Sequence, residues 1–229
     1  MDQHILFLLN SQWTHPVLDR LLAILSCMDF WIPIIGLGAV ILVVRYGPRG
    51  AACLCVCALA ILGNEELISQ PLKQWTARAR PHQFQEGVRR VDLAPAKPRI
   101  LAGLLPVQVS YSGPPNPEDT MRRSFPSSHT LNATTLGIVF ALLFRSPVWL
   151  LLPLLMAWSR VYTGAHWPTD VLASLCIGTV FNGLLLAGAE WVWRNKIGRL
   201  RPDWIQRHPA LIFALRPKPL SNQSSTGQP

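Results

Sequence analysis

The chain has 229 residues, of which 50% are hydrophobic and only 14% are charged, with nine tryptophans. A soluble domain usually carries about 25% charged residues, so this composition argues against one and favours a chain whose middle lies in lipid. The formal net charge of +9 does not indicate a nucleic-acid partner, because the basic residues cluster at the ends of apolar segments and in one loop. We expect anionic membrane lipids as surroundings instead.

The first 28 residues hold two short apolar stretches, Ile5 to Leu9 and Val17 to Met28. They predict helices that lie at the membrane interface or pack beside a bundle, with a sixth span as the alternative. Five longer stretches predict spanning helices. The stretch that begins at Pro147 is short for the roughly 20 residues a span needs, unless it continues toward Tyr162 or the bilayer thins. In chain order the five are approximately Phe30 to Val44, Ala51 to Gln70, Ser127 to Phe144, Pro147 to Arg160 and Val171 to Trp193.

These segments predict an all-α integral membrane bundle of about five to six transmembrane helices, formed by a single domain over residues 1–229. Residues 81–125 are rich in proline, glycine and charge and predict one long loop, a length that is uncommon unless functional. An apolar element from Ile100 to Val109 is expected to dip toward the membrane or to cover a pocket. The polar tail, residues 220–229, is expected to be disordered.

Three polar phrases stand at the ends of apolar segments. They are Lys73 to Pro81, Pro126 to His129, and Ser159-Arg160 with His166 to Asp170. In an up-and-down bundle, the end of the second span, the start of the third, the end of the fourth and the start of the fifth share one membrane face. Sequence order therefore predicts that the three phrases meet, on the face that carries the long loop.

The cations of these phrases suit a phosphate. Charge grows on the non-bridging oxygens of a phosphate ester during transfer, and Lys73, Arg80 and Arg160 could stabilise it. The alternative is that they are interface anchors. We keep that interpretation for the remaining arginines in and near the loop, which are Arg78, Arg89, Arg90, Arg122 and Arg123.

The second phrase is typical of a helix start, with Ser127 and Ser128 as hydroxyl caps after a proline. Free N–H groups and the helix dipole at such an end favour an anion, although a merely capped helix is the alternative. His129, in the first turn, could donate a proton to the leaving oxygen. In the third phrase, Asp170 could accept a hydrogen bond from His166 and leave the other imidazole nitrogen as a nucleophile, unless the pair is structural.

This chemistry would give a phosphohistidine that water then hydrolyses, with His129 as acid and then as base. Glu66 interrupts an apolar span and shares a helix face with Lys73, so it is expected to support an arginine of the site, or else to make a structural hydrogen bond between helices. Two histidines and one aspartate could instead hold a metal. No further carboxylate or cysteine lies beside them in sequence, so we expect no metal and no cofactor.

The three phrases resemble those of the type 2 phosphatidic acid phosphatase superfamily. The first phrase of that family is a lysine followed, after six residues, by arginine-proline. The second is a proline-serine phrase that ends in histidine. The third is an arginine, then a histidine after five residues, then an aspartate after three more. The resemblance implies an all-helical, metal-independent lipid phosphatase. By position it implies His166 as nucleophile, His129 as acid and base, Asp170 as orienting residue, and Lys73, Arg80, Ser127, Ser128 and Arg160 as phosphate ligands.

Ser128 stands where the family commonly has glycine, and members that act on polyprenyl diphosphates often carry another residue there. The compact chain is similar to the bacterial undecaprenyl-diphosphate phosphatases of the family. Phosphatidylglycerophosphate, phosphatidic acid, lipid A and lipid-to-lipid phosphate transfer remain alternatives, and a membrane anion-binding protein or transporter is the non-enzymatic one. Outside the expected site, basic residues are slightly more numerous on the opposite face. They favour a bacterial inner-membrane protein whose site faces the periplasm.

Overall fold

The computed structural model describes residues 1–114 and 123–212. It is mostly helical, and the tail predicted to be disordered lies outside the described residues. The α-helices are α1 (Asp2–Phe7), α2 (Pro16–Ser26), α3 (Met28–Gly63), α4 (Gln70–Thr76), α5 (Pro81–Phe84), α6 (Ser128–Leu143), α7 (Leu151–Tyr162), α8 (Pro168–Val192), α9 (Gly198–Leu200) and α10 (Pro202–Arg207). π-Helical turns occupy Leu8–Gln12, Asn64–Ser69 and Trp193–Ile197, and 3-10 turns occupy Arg99–Leu104 and Pro147–Leu150.

The long helix α3 is broken at Gly47, whose φ of 55° and ψ of −133° are not helical. Glycine tolerates this positive φ, and the proline that follows suits the first turn of a new helix. Residues eight apart in a straight helix are separated by about 12 Å. Gly50 nevertheless packs directly on the backbone of Leu42. The chain therefore reverses at Gly47, and α3 consists of two helices that pack side by side.

Two helical stretches, Met28–Thr76 and Pro168–Leu200, are long and apolar enough to cross a membrane by length and composition. The first contains the reversal at Gly47. Shorter apolar helices cover Ser128–Leu143 and Pro147–Tyr162. Each of the five apolar stretches singled out in the sequence is thus helical. Large apolar side chains on these helices point outward, including those of Leu37, Val44 and Leu184. Such exposure is typical of a surface that lies against another apolar phase.

The expectation of an all-α chain is wrong in one region. Within the predicted loop, β1 (Arg89–Leu93) pairs with β2 (Val107–Tyr111) in a two-stranded antiparallel sheet. The predicted apolar element from Ile100 to Val109 is divided between a 3-10 turn and β2. Burial alternates along β1, with Val91 buried and Asp92 exposed, which is the two-residue period of a strand. The buried side of the sheet packs on α2 and α7, in a cluster that includes Leu22 and Tyr162.

Polar contacts fasten the helices to one another. In the bundle interior, Asn64 donates to the Thr135 hydroxyl (2.9 Å), and Thr135 donates to the Asn182 side-chain oxygen (2.8 Å). At the far end of α8, Glu190 accepts a hydrogen bond from Arg194 Nε (2.6 Å) and two more from backbone N–H groups of residues 211 and 212. These bonds hold the C-terminal segment against the end of the bundle opposite the polar phrases.

Candidate active site

The three polar phrases meet at one end of the bundle. Hydrogen bonds to backbone carbonyls join the segments that carry them. The Ser124 N–H donates to the Arg78 carbonyl (2.6 Å), and the Trp167 indole N–H donates to the Ala79 carbonyl (2.9 Å). Lys73 lies in α4, Arg80 directly precedes α5, and His129 lies in the first turn of α6. The geometry therefore assembles the residues that the sequence spacing predicted to be close.

His166 is buried, with 2% of its surface exposed. Its Nδ1 lies 2.6 Å from the carbonyl oxygen of Ser124. A carbonyl can only accept a hydrogen bond, so Nδ1 must carry the proton, and in the neutral ring the lone pair lies on Nε2. The ring is therefore held in the tautomer that a nucleophilic histidine requires.

The partner predicted for His166 is not the one observed. Asp170 Oδ2 lies 3.9 Å from His166 Nδ1, which is too long for a hydrogen bond. Asp170 instead accepts from the Ser124 hydroxyl (2.5 Å), the Trp167 N–H (3.0 Å) and Arg78 Nη1 (2.6 Å). Ser124 thus stands between the carboxylate and the imidazole. The polar phrases do not predict this role, because Ser124 lies before Pro126, where the second phrase begins.

Arg160 carries a buried positive charge that no carboxylate in the described part of the chain neutralises by direct contact. The residue is 8% exposed, and its Nε has no hydrogen-bond partner among residues 1–114 and 123–212. A buried charge is costly unless it is paired. A guanidinium in this state is complementary to a phosphate, whose oxygens match its planar donors.

Lys73 lies at the edge of the site and contacts the start of α6. Its Nζ donates to the Ser128 hydroxyl (2.7 Å), which in turn lies 2.6 Å from the Ser69 hydroxyl. The carboxylate that pairs with Lys73 is Glu65, at 3.3 Å.

The expectation that Glu66 supports the site is not met, since that residue is exposed and Glu65 occupies the place beside Lys73. Residues seven apart share a face in a regular α-helix. The π-helical turn Asn64–Ser69 lies between them and shifts the register by about one residue. The residue eight positions before Lys73 therefore faces it.

Ser127 is fully buried and caps α6. Its hydroxyl oxygen accepts from the Thr130 N–H (3.4 Å) and the Thr130 hydroxyl (3.0 Å), while its own N–H donates to Ser174 (2.9 Å). This leaves its hydroxyl proton for an anion, but not its N–H. The cap also orders the first turn of α6, where the N–H groups of Ser128 and His129 have no carbonyl partner within the helix.

The electrostatics keep the buried histidine neutral. Burial lowers the pKa of His166 well below its ordinary value, and the charges of Arg160 and Arg80 act in the same direction. A protonated His129 would add to this effect. The lowered pKa favours the unprotonated imidazole, which is the form that a nucleophile requires.

The alternative that His129, His166 and Asp170 bind a metal ion depends on which donor side chains lie close together. In the described part of the chain, no three His, Cys, Asp or Glu side chains lie close enough together to bind a metal ion. The positive charges of Arg160 and Arg80 also act on His166.

A family model described as the PAP2 superfamily matches residues 53–194. This match covers more than half of the chain and includes every phrase of the site. The chain belongs to the PAP2 superfamily. Its membership agrees with the resemblance that the three phrases carry.

Three similar proteins illustrate the range of this family. An undecaprenyl-diphosphatase of Sulfolobus acidocaldarius is 36% identical over 88 residues, which are 35% of this chain and 40% of that protein. The chain thus spans less than half of that relative's length. A lipid A 4'-phosphatase of Porphyromonas gingivalis is 24% identical over 221 residues, covering 91% of this chain and 80% of that protein. The crystal structure of Aquifex aeolicus LpxE has a TM-score of 0.57 and 22% identity, covering 81% of this chain and 94% of that one, which supports the fold.

The low pKa of His166 predicts an effect on the pH dependence of catalysis. Replacing Arg160 with glutamine removes one of the positive charges that disfavour a protonated His166, so the pKa of His166 should rise. The acid limb of kcat/KM should then move to higher pH, and kcat/KM at pH 7 should fall by about 10²-fold through loss of a phosphate donor.

The phosphate of the substrate also titrates near pH 6, so the informative quantity is the difference between variant and parent profiles. Arg194→Gln, at the opposite end of the bundle, is the control and should leave the limb in place. An acid limb that is the same in Arg160→Gln and the parent would contradict this account.

Proposed function

We propose that the chain is a metal-independent membrane lipid phosphatase that works through a phosphohistidine on His166. The observation that carries this proposal is that an oriented imidazole, His166, lies at the same end of the bundle as the buried guanidinium of Arg160, whose Nε has no hydrogen-bond partner among the described residues. His166 would supply the nucleophile, and Arg160 would bind the phosphate. A protein that only binds an anion would need Arg160 but not an oriented His166.

The reaction has two halves. His166 Nε2 attacks phosphorus, the bond from phosphorus to the leaving oxygen breaks, and His129 donates a proton to that oxygen. His129 then removes a proton from water, which attacks the phosphohistidine and releases inorganic phosphate and the free imidazole. Lys73, Arg80 and Arg160 stabilise the charge on the non-bridging oxygens in both halves.

The proposed substrate is undecaprenyl diphosphate, which would yield undecaprenyl phosphate. The support is the relative named for that activity and the presence of Ser128 at a position where the family commonly has glycine. In this substrate the leaving oxygen belongs to a phosphate, and the terminal phosphate would occupy the site.

A second candidate is a phosphate carried on a sugar headgroup, as in lipid A. A cavity of about 260 Å³ opens beside Arg80 and Arg160 and is also lined by Asp29 and Asp92. These carboxylates would repel a second phosphate and could accept hydrogen bonds from hydroxyl groups. The lipid A 4'-phosphatase, which matches along 91% of the chain, agrees with this alternative.

We place the site at the membrane edge of a bundle with five spans. Two spans come from the halves of the Met28–Thr76 stretch on either side of Gly47, and three come from α6, α7 with its preceding 3-10 turn, and α8. The helices α1 and α2 pack at the end that carries the site. The basic residues after α8 favour a cytoplasmic tail and a site on the periplasmic face of the bacterial inner membrane.

The proposed reaction predicts phosphate release by the purified protein in detergent with a chelator present. Undecaprenyl diphosphate should give the highest kcat/KM among that lipid, lipid A, phosphatidylglycerophosphate and phosphatidic acid. His166→Ala should reduce turnover by at least about 10³-fold, because the nucleophile is lost. His208→Ala, near the opposite end of the bundle, is the matched control and should retain turnover.

Other results would point elsewhere. Preference for lipid A would favour the second candidate, and phosphate appearing on another lipid would indicate transfer. Phosphate binding without turnover of any lipid would indicate an anion-binding protein or transporter. Inhibition by chelator that zinc reverses would contradict a metal-independent reaction.

The proposed orientation predicts which end of the bundle a membrane-impermeant thiol reagent can reach in intact cells. Glu86→Cys, exposed near α5, should be labelled from outside. Arg199→Cys, beyond the far end of α8, should be labelled only after the cells are permeabilised. The parent chain, with its five free cysteines, gives the background. Labelling of residue 199 but not residue 86 in intact cells would reverse the orientation.

A further inference from the structure

Asp170 does not contact the nucleophile, yet it is the most completely buried carboxylate near it, with no exposed surface. A buried carboxylate is costly unless donors and a cation compensate it. The cation that does so is Arg78, whose Nη1 lies 2.6 Å from Asp170 Oδ1. Nothing in the spacing of the polar phrases separates Arg78 from the ordinary interface arginines.

Ser124 connects this ion pair to the nucleophile. Its hydroxyl donates to Asp170 Oδ2 (2.5 Å), its carbonyl accepts from His166 Nδ1 (2.6 Å), and its N–H donates to the Arg78 carbonyl (2.6 Å). All three polar groups of one residue are thus committed. A displacement of Asp170 or Arg78 therefore moves the carbonyl that sets the orientation of His166.

Arg78 is itself held from the other side by the N-terminal helix. Its Nη2 lies 2.7 Å from Asp2 Oδ2, and Asp2 also accepts from the Thr169 N–H (3.0 Å) and the Thr169 hydroxyl (2.6 Å). Burial acts to raise the pKa of Asp2, but the hydrogen bonds from Thr169 and Arg78 outweigh it and lower that pKa below its ordinary value. The guanidinium also stacks on the Trp167 ring, at 5.4 Å from its centre.

We propose that Arg78, held by Asp2, is a positioning residue for the nucleophile: it fixes Asp170 and Ser124, and through Ser124 it fixes the angle at which His166 Nε2 meets phosphorus. This role rests on the proposed function of His166. The phosphate ligands Lys73 and Arg160 are separate from the chain of contacts. Loss of Arg78 therefore slows the chemical step and leaves lipid binding intact.

The test is Arg78→Ala in the full-length protein, assayed for phosphate release from undecaprenyl diphosphate, or from lipid A if the parent prefers it. We expect kcat to fall by about 10²-fold, because a misplacement of about 1 Å has that effect, with KM changed by less than about threefold. Added guanidinium ion should restore part of kcat. The Arg78 side chain is 36% exposed, so a small cation can enter the space left by its removal. Arg78→Lys should lie between parent and alanine, since lysine keeps the charge but not the planar fork.

The chain offers a closely matched control in Arg194. Its Nε lies 2.6 Å from the buried Glu190, and its side chain is 39% exposed, so both arginines are about equally exposed and each pairs with a buried carboxylate. Arg194 lies at the opposite end of the bundle. Arg194→Ala therefore also leaves a buried carboxylate without its cation, but it should keep kcat and show no response to guanidinium.

The results separate this inference from the proposed function. Parent turnover that disappears in His166→Ala supports the function independently of Arg78. The positioning role is overturned if Arg78→Ala keeps its kcat, if guanidinium restores nothing, or if Arg194→Ala loses kcat equally. If Arg78→Ala does not fold, Asp2→Asn decides instead. Asp2→Asn should lower kcat by about tenfold. An unchanged kcat would contradict the positioning role of Arg78.

Discussion

The structure depends on one electrostatic constraint, which is the burial of the Arg160 guanidinium with no ion-pair partner among residues 1–114 and 123–212. Burying an unpaired charge costs several kcal/mol, and a protein tolerates that cost when a ligand completes the site. The surrounding helices arrange this arginine beside the nucleophile and the start of α6. Under the proposed function, a phosphate that enters would pair with the guanidinium and, at the same time, place its phosphorus next to His166.

Among the described residues, no carboxylate forms an ion pair with Arg160. Asp92, which lines the same cavity, is paired with Arg90. Asp170 is paired with Arg78, and Glu65 is paired with Lys73. This distribution leaves an excess of positive charge where the phosphate would bind. The same excess lowers the pKa of His166, so the charges that favour the anion also keep the nucleophile unprotonated. The same positive charges would therefore favour both phosphate binding and the unprotonated form of His166.

Much of this arrangement could be predicted from the sequence. The five apolar stretches are helices, and the order of the polar phrases along an up-and-down bundle was enough to bring Lys73, Arg160 and His166 to one end. Side-chain identities at helix ends are local information, and a bundle with short connections converts them into proximity. The chain's membership of the PAP2 superfamily, also predicted, is confirmed by the family match.

The features that the sequence did not reveal depend on register and on backbone atoms. Because of the π-helical turn Asn64–Ser69, Glu65 and not Glu66 lies beside Lys73. No pattern of residue types in the sequence marks such a turn. The acceptor for His166 is a backbone carbonyl, which every residue possesses, so no residue type could point to Ser124. Apolar and polar residues alternate in the sequences of the short strands β1 and β2. The surrounding segment is rich in proline and charge, which favours a loop, so the sequence did not predict the strands.

The most direct test of the account is to trap the phosphorylated enzyme. His129→Gln should slow hydrolysis of the intermediate more than its formation if the substrate's leaving group is a weak base, such as the undecaprenyl phosphate of the proposed substrate. After rapid mixing with undecaprenyl diphosphate labelled in the terminal phosphate, the protein should carry an acid-labile, base-stable label at His166. The double variant with His166→Ala should carry none. Label at another residue, or steady turnover by the parent enzyme with no label on the protein at any time, would contradict the central claim.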